Sequence, residues 1–321
     1  MGYQIAGTSV PANSKTWIEL PTTSDAENSR FDVPAIVVNG GEGPTIWFQA
    51  AVHGDEHTGS IALRDTMQAI DPAEVTGRLV GIPVVNRSAF AGKSRTAPVD
   101  NKDLNRQFPG RDNGTFSELL AKEMYEYASE HADYFVDLHS GRTDTYIAGY
   151  SIFPAAGGDV ETTGKKLASA TDLPYAVGMH PDTIDGLLMF ELAEEGIPGM
   201  IVETGGEGRL HKTHVDDASQ AIRGIAAELD VLPEPAPRSP DVQLTYGMDF
   251  LKAGTGGYFE CDVDSNDQVT EGEVLAEITG IRGEIKEQIR APYDGLVVSV
   301  RTFGVARPGD PLFEVVPEPD S

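Results

Sequence analysis

The sequence is short of cysteine, of lysine and of long apolar runs, and each shortage excludes something. Cys261 is the single cysteine in 321 residues, so no intrachain disulfide can form and a reducing compartment is permitted. The longest strongly apolar stretch, around Thr45 to Val52, is far too short to cross a bilayer. The opening segment MGYQIAGTSV has neither a basic region nor an apolar block, so it does not read as a secretory signal. Ala6 stands where the N-myristoylation pattern requires Ser or Thr. The expectation is a soluble, cytoplasmic protein with no membrane partner. Lysine supplies only 9 of the 24 basic residues, against 51 acidic ones, for a formal net charge of −27. Such a chain repels polyphosphate over most of its surface, which argues against nucleic acid as a partner. A carboxylate-coated surface suits a salt-rich cytoplasm, where high ionic strength screens the self-repulsion.

What is present is apolar material, 40% of the residues, enough for one large core and a smaller second one. Runs with strand character recur at Pro34–Val38, Thr45–Val52, Leu79–Val85, Tyr134–Leu138, Tyr146–Phe153 and Met200–Val202. Helical spacing appears at Ser60–Ile70, Phe116–Ser129, Gly164–Thr171 and Asp216–Leu229. The alternation predicts an α/β fold with a mixed, mostly parallel sheet and helices on both faces. In such a sheet, ligands bind beyond the carboxyl ends of the strands. Four prolines fall in PEPAPRSP, which predicts a linker at 233–240 between a catalytic domain at 1–232 and an appendage at 241–321. Downstream, only short strand-like runs occur, so the appendage reads as a small all-β, barrel-like domain.

Three strand ends carry the chemistry. TIWFQAAV leads into His53-Gly54-Asp55-Glu56, then Thr58-Gly59 and a helical pattern. Imidazole and carboxylate are standard zinc ligands, and catalytic zinc sites commonly use two His and one Glu, leaving a position for water. A ligand at the strand end and Glu56 three residues later, on the first turn of a helix, can face one point. The run Tyr134 to His139 also ends in a histidine. Side chains two apart on a strand share a face, so Asp137 can accept an N–H from a metal-bound His139 and fix its tautomer. Met200–Val202 ends at Glu203 before Thr-Gly-Gly, where a carboxylate beside a metal suits a general base. Taken singly, each motif also has a plain structural reading. Together at one sheet edge they are harder to dismiss.

The segment from Asn86 to Gly110 holds three of the chain's fifteen arginines: Arg87, Arg95 and Arg106. Guanidinium binds carboxylate bidentately and can polarise a carbonyl, so this loop suits an anionic substrate. Ordinary salt bridges are the competing reading for Arg87 and Arg111.

HGDE, NRSAFAGKSRTAPVDNKDLNRQFPG, DLHSG and VETGG, in that order, resemble the succinylglutamate desuccinylase/aspartoacylase family of the zinc carboxypeptidase (M14-like) superfamily, over roughly residues 35–230. The resemblance implies a zinc carboxypeptidase-like fold and one zinc ion per chain held by His53, Glu56 and His139, with Glu203 as general base. It also implies that Arg95 polarises the scissile carbonyl while Asn105 and Arg106 hold the substrate's carboxylate. The reaction implied is hydrolysis of the amide of a small, anionic N-acyl substrate, of the N-acetyl or N-succinyl type. A homo-oligomer is compatible with it. A carboxypeptidase acting on peptide C-termini, or a non-catalytic binding protein keeping the fold, are the alternatives.

The C-terminal VTEGEVLAEI, IRAPYDGLVVSV and VARPGDPLFEV resemble the barrel of biotinyl and lipoyl carrier domains. The position of their modified lysine is Glu284 here and Lys286 lies two residues on, so the module reads as a scaffold or lid. Three lookalikes carry less weight. His53 to His57 spells the inverted zinc-protease motif H-x-x-E-H, but Gly54 argues that a helix begins only near Asp55. Asp262 to Glu273 nearly fits a calcium loop, yet Asp267 stands where that loop needs Gly. Ser117 and Ser140 lack a nucleophile-elbow context.

The charge pattern makes a direct prediction. The midpoint of thermal unfolding should rise from low salt to several molar KCl, as screening relieves repulsion among the carboxylates. Indifference of the midpoint to KCl would contradict the salt-adapted reading.

Overall fold

Residues 2–24, 30–233 and 242–319 are described in a computed structural model of the chain. The expected proline-rich linker, apart from Pro233, lies outside these residues.

Alternation along the central strands sets the layers. Almost every side chain of Thr45–Ala50 and Tyr134–His139 is buried, the pattern of strands covered on both faces. Trp47, Phe135 and Ile201 turn to one core, with Leu120 and Met124 of the helix Phe116–His131 and Leu188 and Leu192 of the helix Leu188–Glu194. Phe48, Val136 and Val202 turn to the other, against Leu63 and Met67 of Thr58–Ala69 and Ile222 and Ile225 of Lys212–Glu228. Helices therefore cover both faces, as the strand–helix alternation predicts. Among the described residues no helix is long and apolar enough to cross a membrane.

The strands lie in the spatial order Ser14–Leu20, Val33–Asn39, Arg78–Ile82, Thr45–Ala50, Tyr134–His139, Gly199–Gly206, Thr145–Pro154. The three pairings from Arg78–Ile82 to Gly199–Gly206 are parallel, and Thr145–Pro154 joins them antiparallel. Parallel neighbours end on the same side, which gathers the segments after Ala50 and Leu138 and the one around Glu203. Register places Gln49 opposite Asp137 and His139 opposite Glu203, so these four side chains share the Trp47 face.

Several parts of the fold escape the sequence reading, among them the strand Tyr175–Met179 and the helix Arg87–Gly92. The helix Leu188–Glu194 has only seven residues, too few to display a helical period. The N-terminal strands between Tyr3 and Leu20 are largely polar and partly exposed.

The C-terminal strands extend the large sheet. Gly295–Arg301 pairs antiparallel with Thr145–Pro154, and Pro311–Pro317 and Asp249–Lys252 follow beyond it. A second sheet, formed by Ile285–Arg290, Val274–Thr279, Gly257–Cys261 and Val305–Ala306, packs on this extension around Phe259, Leu275, Ile278, Val297 and Phe313. Lys286 lies within Ile285–Arg290. The Asp-rich loop after Cys261 joins two strands, and the Asp264 N–H donates to Asp267 Oδ2 at 2.8 Å, so it is a β-loop.

Arg301 ties the two regions together. Its Nη1 lies 2.7 Å from Asp144 Oδ2, and its Nε and Nη2 donate to the Val305 carbonyl at 3.1 and 2.8 Å. Removing this buried guanidinium takes the side-chain donors from the Val305 carbonyl and a charge-assisted hydrogen bond from Asp144, which keeps Arg142. Arg301→Met should therefore lower stability by about 2 kcal/mol in urea unfolding. A change below about 0.5 kcal/mol, the level of an ordinary surface substitution, would contradict this role.

Candidate active site

The chain leaves the strand Thr45–Ala50 through Ala51, whose φ of 51° is unusual for alanine. The following loop carries His53 and Glu56. Gly54 presses so closely on the Ala89 backbone that a Cβ would lie 1.9 Å from the Ala89 carbonyl carbon, so only glycine fits there. Its N–H donates to the Ser94 carbonyl at 3.0 Å, which draws the loop bearing Arg95 against the one bearing His53. The helix starts at Thr58, with His57 as its cap. Glu56 thus sits in the loop ahead of the helix rather than on its first turn. No helix joins His53 to His57, so the inverted zinc-protease geometry is absent. His57 instead stands edge-on to Phe90.

His53, Glu56 and His139 converge. All three are at least 96% buried, and a ligand atom from each lies within 4.8 Å of the other two. Glu56 Oε1 is 2.7 Å from His53 Nδ1, and Glu56 Oε2 is 2.8 Å from His139 Nδ1. The first contact lacks hydrogen-bond alignment, leaving His53 Nδ1 without a hydrogen-bond partner. The far ring nitrogens rest on carboxylates. His53 Nε2 is 2.9 Å from Asp103 Oδ1, and His139 Nε2 is 3.3 Å from Asp137 Oδ2. Gln49 Nε2 donates to the same Asp137 oxygen at 3.0 Å. Two imidazoles presenting Nδ1 beside one carboxylate, each backed by an acidic acceptor, form a donor set suited to a divalent metal of the zinc type.

The electrostatics follow from this packing. For Glu56, burial opposes ionisation, but the two imidazoles outweigh it and hold the carboxyl below the ordinary range. For Asp103, burial is likewise overcome, by the His53 hydrogen bond and the charges of His53, Arg95 and Arg106. His139 shows the reverse: burial disfavours its cation, yet Asp137 and Glu56 raise its pKa well above the usual value. Glu203 is raised well above a normal carboxylate, first by burial and then by the negative charges of Glu56 and Glu314, against the lowering effect of His139. Its Oε2 is buried without a hydrogen-bond partner, as are Asn105 Oδ1 and Asp137 Oδ1. Buried unpaired polar atoms are costly, and several around one point mark a place prepared for a ligand.

The remaining residues singled out from sequence surround a cavity of about 540 Å³. Arg95 reaches it with Nη1 on Glu56 at 3.1 Å and Nε on Asp103 at 3.0 Å. Asn105 and Arg106 line it, with the Asn105 amide 3.5 Å from His139 Nε2. Asp137 stands behind His139, away from the lining. Glu203 lies inside the strand Gly199–Gly206 rather than at a turn, and a bulge follows it before Gly205. Arg111 pairs with Glu118, and Arg87 donates to the Asp32 carbonyl, so both are structural.

Sequence reasoning missed Asp103, Arg142, Tyr150 and Glu314. Asp103 lies inside the quoted DLNR motif, and its two-residue spacing from Asn105 was the available signal. Tyr150 faces the cavity through the pairing of Thr145–Pro154 with Gly199–Gly206, Arg142 lies just before that strand, and Glu314 arrives only because the C-terminal strands fold back onto it, none of which a local pattern reveals.

The profile of the succinylglutamate desuccinylase/aspartoacylase catalytic domain matches residues 42–229, more than half of the chain. The N-alpha-acetyl-L-2,4-diaminobutyric acid deacetylase of Halomonas elongata is 27% identical over 310 residues, covering 92% of this chain and 89% of that protein. The product-bound ectoine utilization protein EutE (DoeB) from Ruegeria pomeroyi superposes with a TM-score of 0.87 at 26% identity, covering 96% of this chain and 97% of that one. A succinylglutamate desuccinylase from Silicibacter sp. TM1040 superposes with a TM-score of 0.85 at 25% identity, again over 96% and 97%. The chain belongs to the succinylglutamate desuccinylase/aspartoacylase family and is accordingly a hydrolase of carbon–nitrogen amide bonds.

Proposed function

We propose that the chain is a zinc-dependent deacylase that hydrolyses the amide bond of a small N-acylated amino acid. One observation carries this reading: two buried imidazoles and a carboxylate meet beside Glu203, a carboxylate that no described cation pairs with. The cavity volume is that of a small-molecule site, and Pro311, Leu312 and Glu314 from the C-terminal strands form part of its wall. That enclosure favours a compact substrate over an extended peptide. The named activities of the Halomonas and Silicibacter relatives support an acylated amino acid as the substrate. The acidic, single-cysteine chain suits a cytoplasmic setting.

Zinc held by His53, Glu56 and His139 would supply Lewis acidity, lowering the pKa of a water and polarising the acyl oxygen. The protein's own residues do the rest. Glu203 takes a proton from the attacking water and delivers it to the departing amine nitrogen. Arg95 has Nε and Nη1 engaged by Asp103 and Glu56, which keeps its second Nη as the donor to the oxyanion. Asn105 and Arg106 bind the substrate carboxylate, Arg106 by charge and Asn105 by its amide. Asp103 and Asp137 hold the imidazoles with Nε2 protonated, so that each Nδ1 lone pair points inward.

Zinc-loaded protein should release amine from at least one class among N-acetyl, N-succinyl and N-formyl amino acids. Glu203→Gln should keep zinc while kcat/KM falls by about 10²–10⁴-fold, the usual contribution of a proton-transfer group. Full zinc content and activity in His139→Ala would overturn the ligand assignment. Asp103→Asn and Asp137→Asn should each weaken zinc about 10–100-fold in chelator competition, and unchanged affinity would refute their supporting role.

A further inference from the structure

The cavity has a second polar wall that the reaction described above does not use. Glu314 lies in the strand Pro311–Pro317, with Phe250 and Ser299 as its register partners on the two neighbouring strands. Directly opposed residues share a face, and all three line the cavity. Tyr150 closes this wall from Thr145–Pro154, its Oη donating to Glu314 Oε2 at 2.8 Å. Tyr150 is itself the register partner of Glu203, so the wall adjoins the proton-transfer carboxylate.

Glu314 lacks a positive partner. Among the described residues no Lys, Arg or His side chain pairs with it, although the same cavity contains cations. Of these, Arg95 is held by Glu56 and Asp103 and Arg142 by Asp144 at 3.0 Å, while Arg106 and Lys252 also line the cavity without forming an ion pair with Glu314. A sequestered carboxylate without a counter-charge is costly, and a cationic ligand group would remove that cost. A primary ammonium has three donors. Here it would find a carboxylate oxygen of Glu314 and the hydroxyl oxygens of Tyr150 and Ser299, with the Phe250 ring alongside as a further favourable neighbour for a cation. The arginine-lined side, opposite in charge, takes the substrate's carboxylate.

We infer that Glu314, Tyr150 and Ser299 form a subsite for a primary ammonium group, so that the enzyme selects N-acylated diamino acids over uncharged analogues of the same length. This rests on the deacylase reading above and names its substrate class. The subsite belongs to strands from both the α/β and the all-β regions, so the C-terminal region contributes specificity as well as enclosure.

The test compares Nα-acetyl-L-2,4-diaminobutyrate with its uncharged isostere Nα-acetyl-L-norvaline on the zinc-loaded, full-length enzyme. Wild type should favour the diamino substrate by at least about tenfold in kcat/KM. Glu314→Gln should lower kcat/KM for that substrate by about 10–100-fold and for the norvaline substrate by less than about threefold. Tyr150→Phe should show the same selectivity in weaker form, and serves if Glu314→Gln does not fold. Equal losses on both substrates, or no preference in wild type, would overturn the subsite. Calorimetric titration with free 2,4-diaminobutyrate and norvaline provides a readout independent of turnover. If none of the N-acetyl, N-succinyl and N-formyl compounds is hydrolysed yet the diamino acid binds selectively through Glu314, the deacylase reading fails and the subsite stands. Hydrolysis without selectivity gives the reverse.

Discussion

The site depends on which ring nitrogen of each histidine carries its proton, and a buried chain of polar contacts decides this for His139. The Trp47 indole can only donate, and it donates to Gln49 Oε1 at 3.3 Å. Gln49 must then present its NH₂ group to Asp137, which it does at 3.0 Å. Asp137, accepting from Gln49 on Oδ2, takes the Nε2–H of His139 on the same oxygen and leaves Nδ1 facing Glu56. Asp103 imposes the same polarity on His53 from the opposite loop. The polarity begins at a tryptophan in the core and ends at the ligand atoms, so the central strands orient the chemistry as well as support it.

Charge is distributed to the same end. A chain with a net charge of −27 would repel an anionic substrate unless cations were concentrated at the site. Arg95, Arg106 and Arg142 all line the one cavity. Glu56 and Asp103 anchor Arg95, Asp144 anchors Arg142, and Arg301 from the C-terminal strands holds Asp144 in turn. The all-β region therefore reaches the cavity by two routes, through its own lining residues and through this relay of ion pairs.

Much of this was legible in the sequence, for identifiable reasons. Buried parallel strands leave continuous apolar runs, so TIWFQA and YFVDLH announce themselves, and period-two geometry puts Asp137 behind His139 without any knowledge of the fold. His53, Glu56 and His139 stood out because polar residues that end apolar strands are conspicuous. What stayed hidden depends on contacts between distant segments. Glu314 sits in PLFEVVP, a pattern that fits any half-buried strand, and only its pairing beside Ser299 and the Tyr150 hydrogen bond bring it to the cavity. The placement of Glu203 within a strand was obscured by the glycines after it, which form a bulge rather than a turn. The helix onset at Thr58 was misjudged because Asp55 and Glu56 resemble a first helical turn while Gly54 packing and the imidazoles hold them in a loop.

The central claim is that two imidazoles and one carboxylate, with no thiolate, hold a single zinc ion. X-ray absorption at the zinc edge of stoichiometrically loaded protein tests it most directly. The account predicts two imidazole nitrogens at about 2.0–2.1 Å together with oxygen ligands, and no sulfur scattering near about 2.3 Å. A sulfur shell, or a spectrum with only oxygen neighbours, would contradict it.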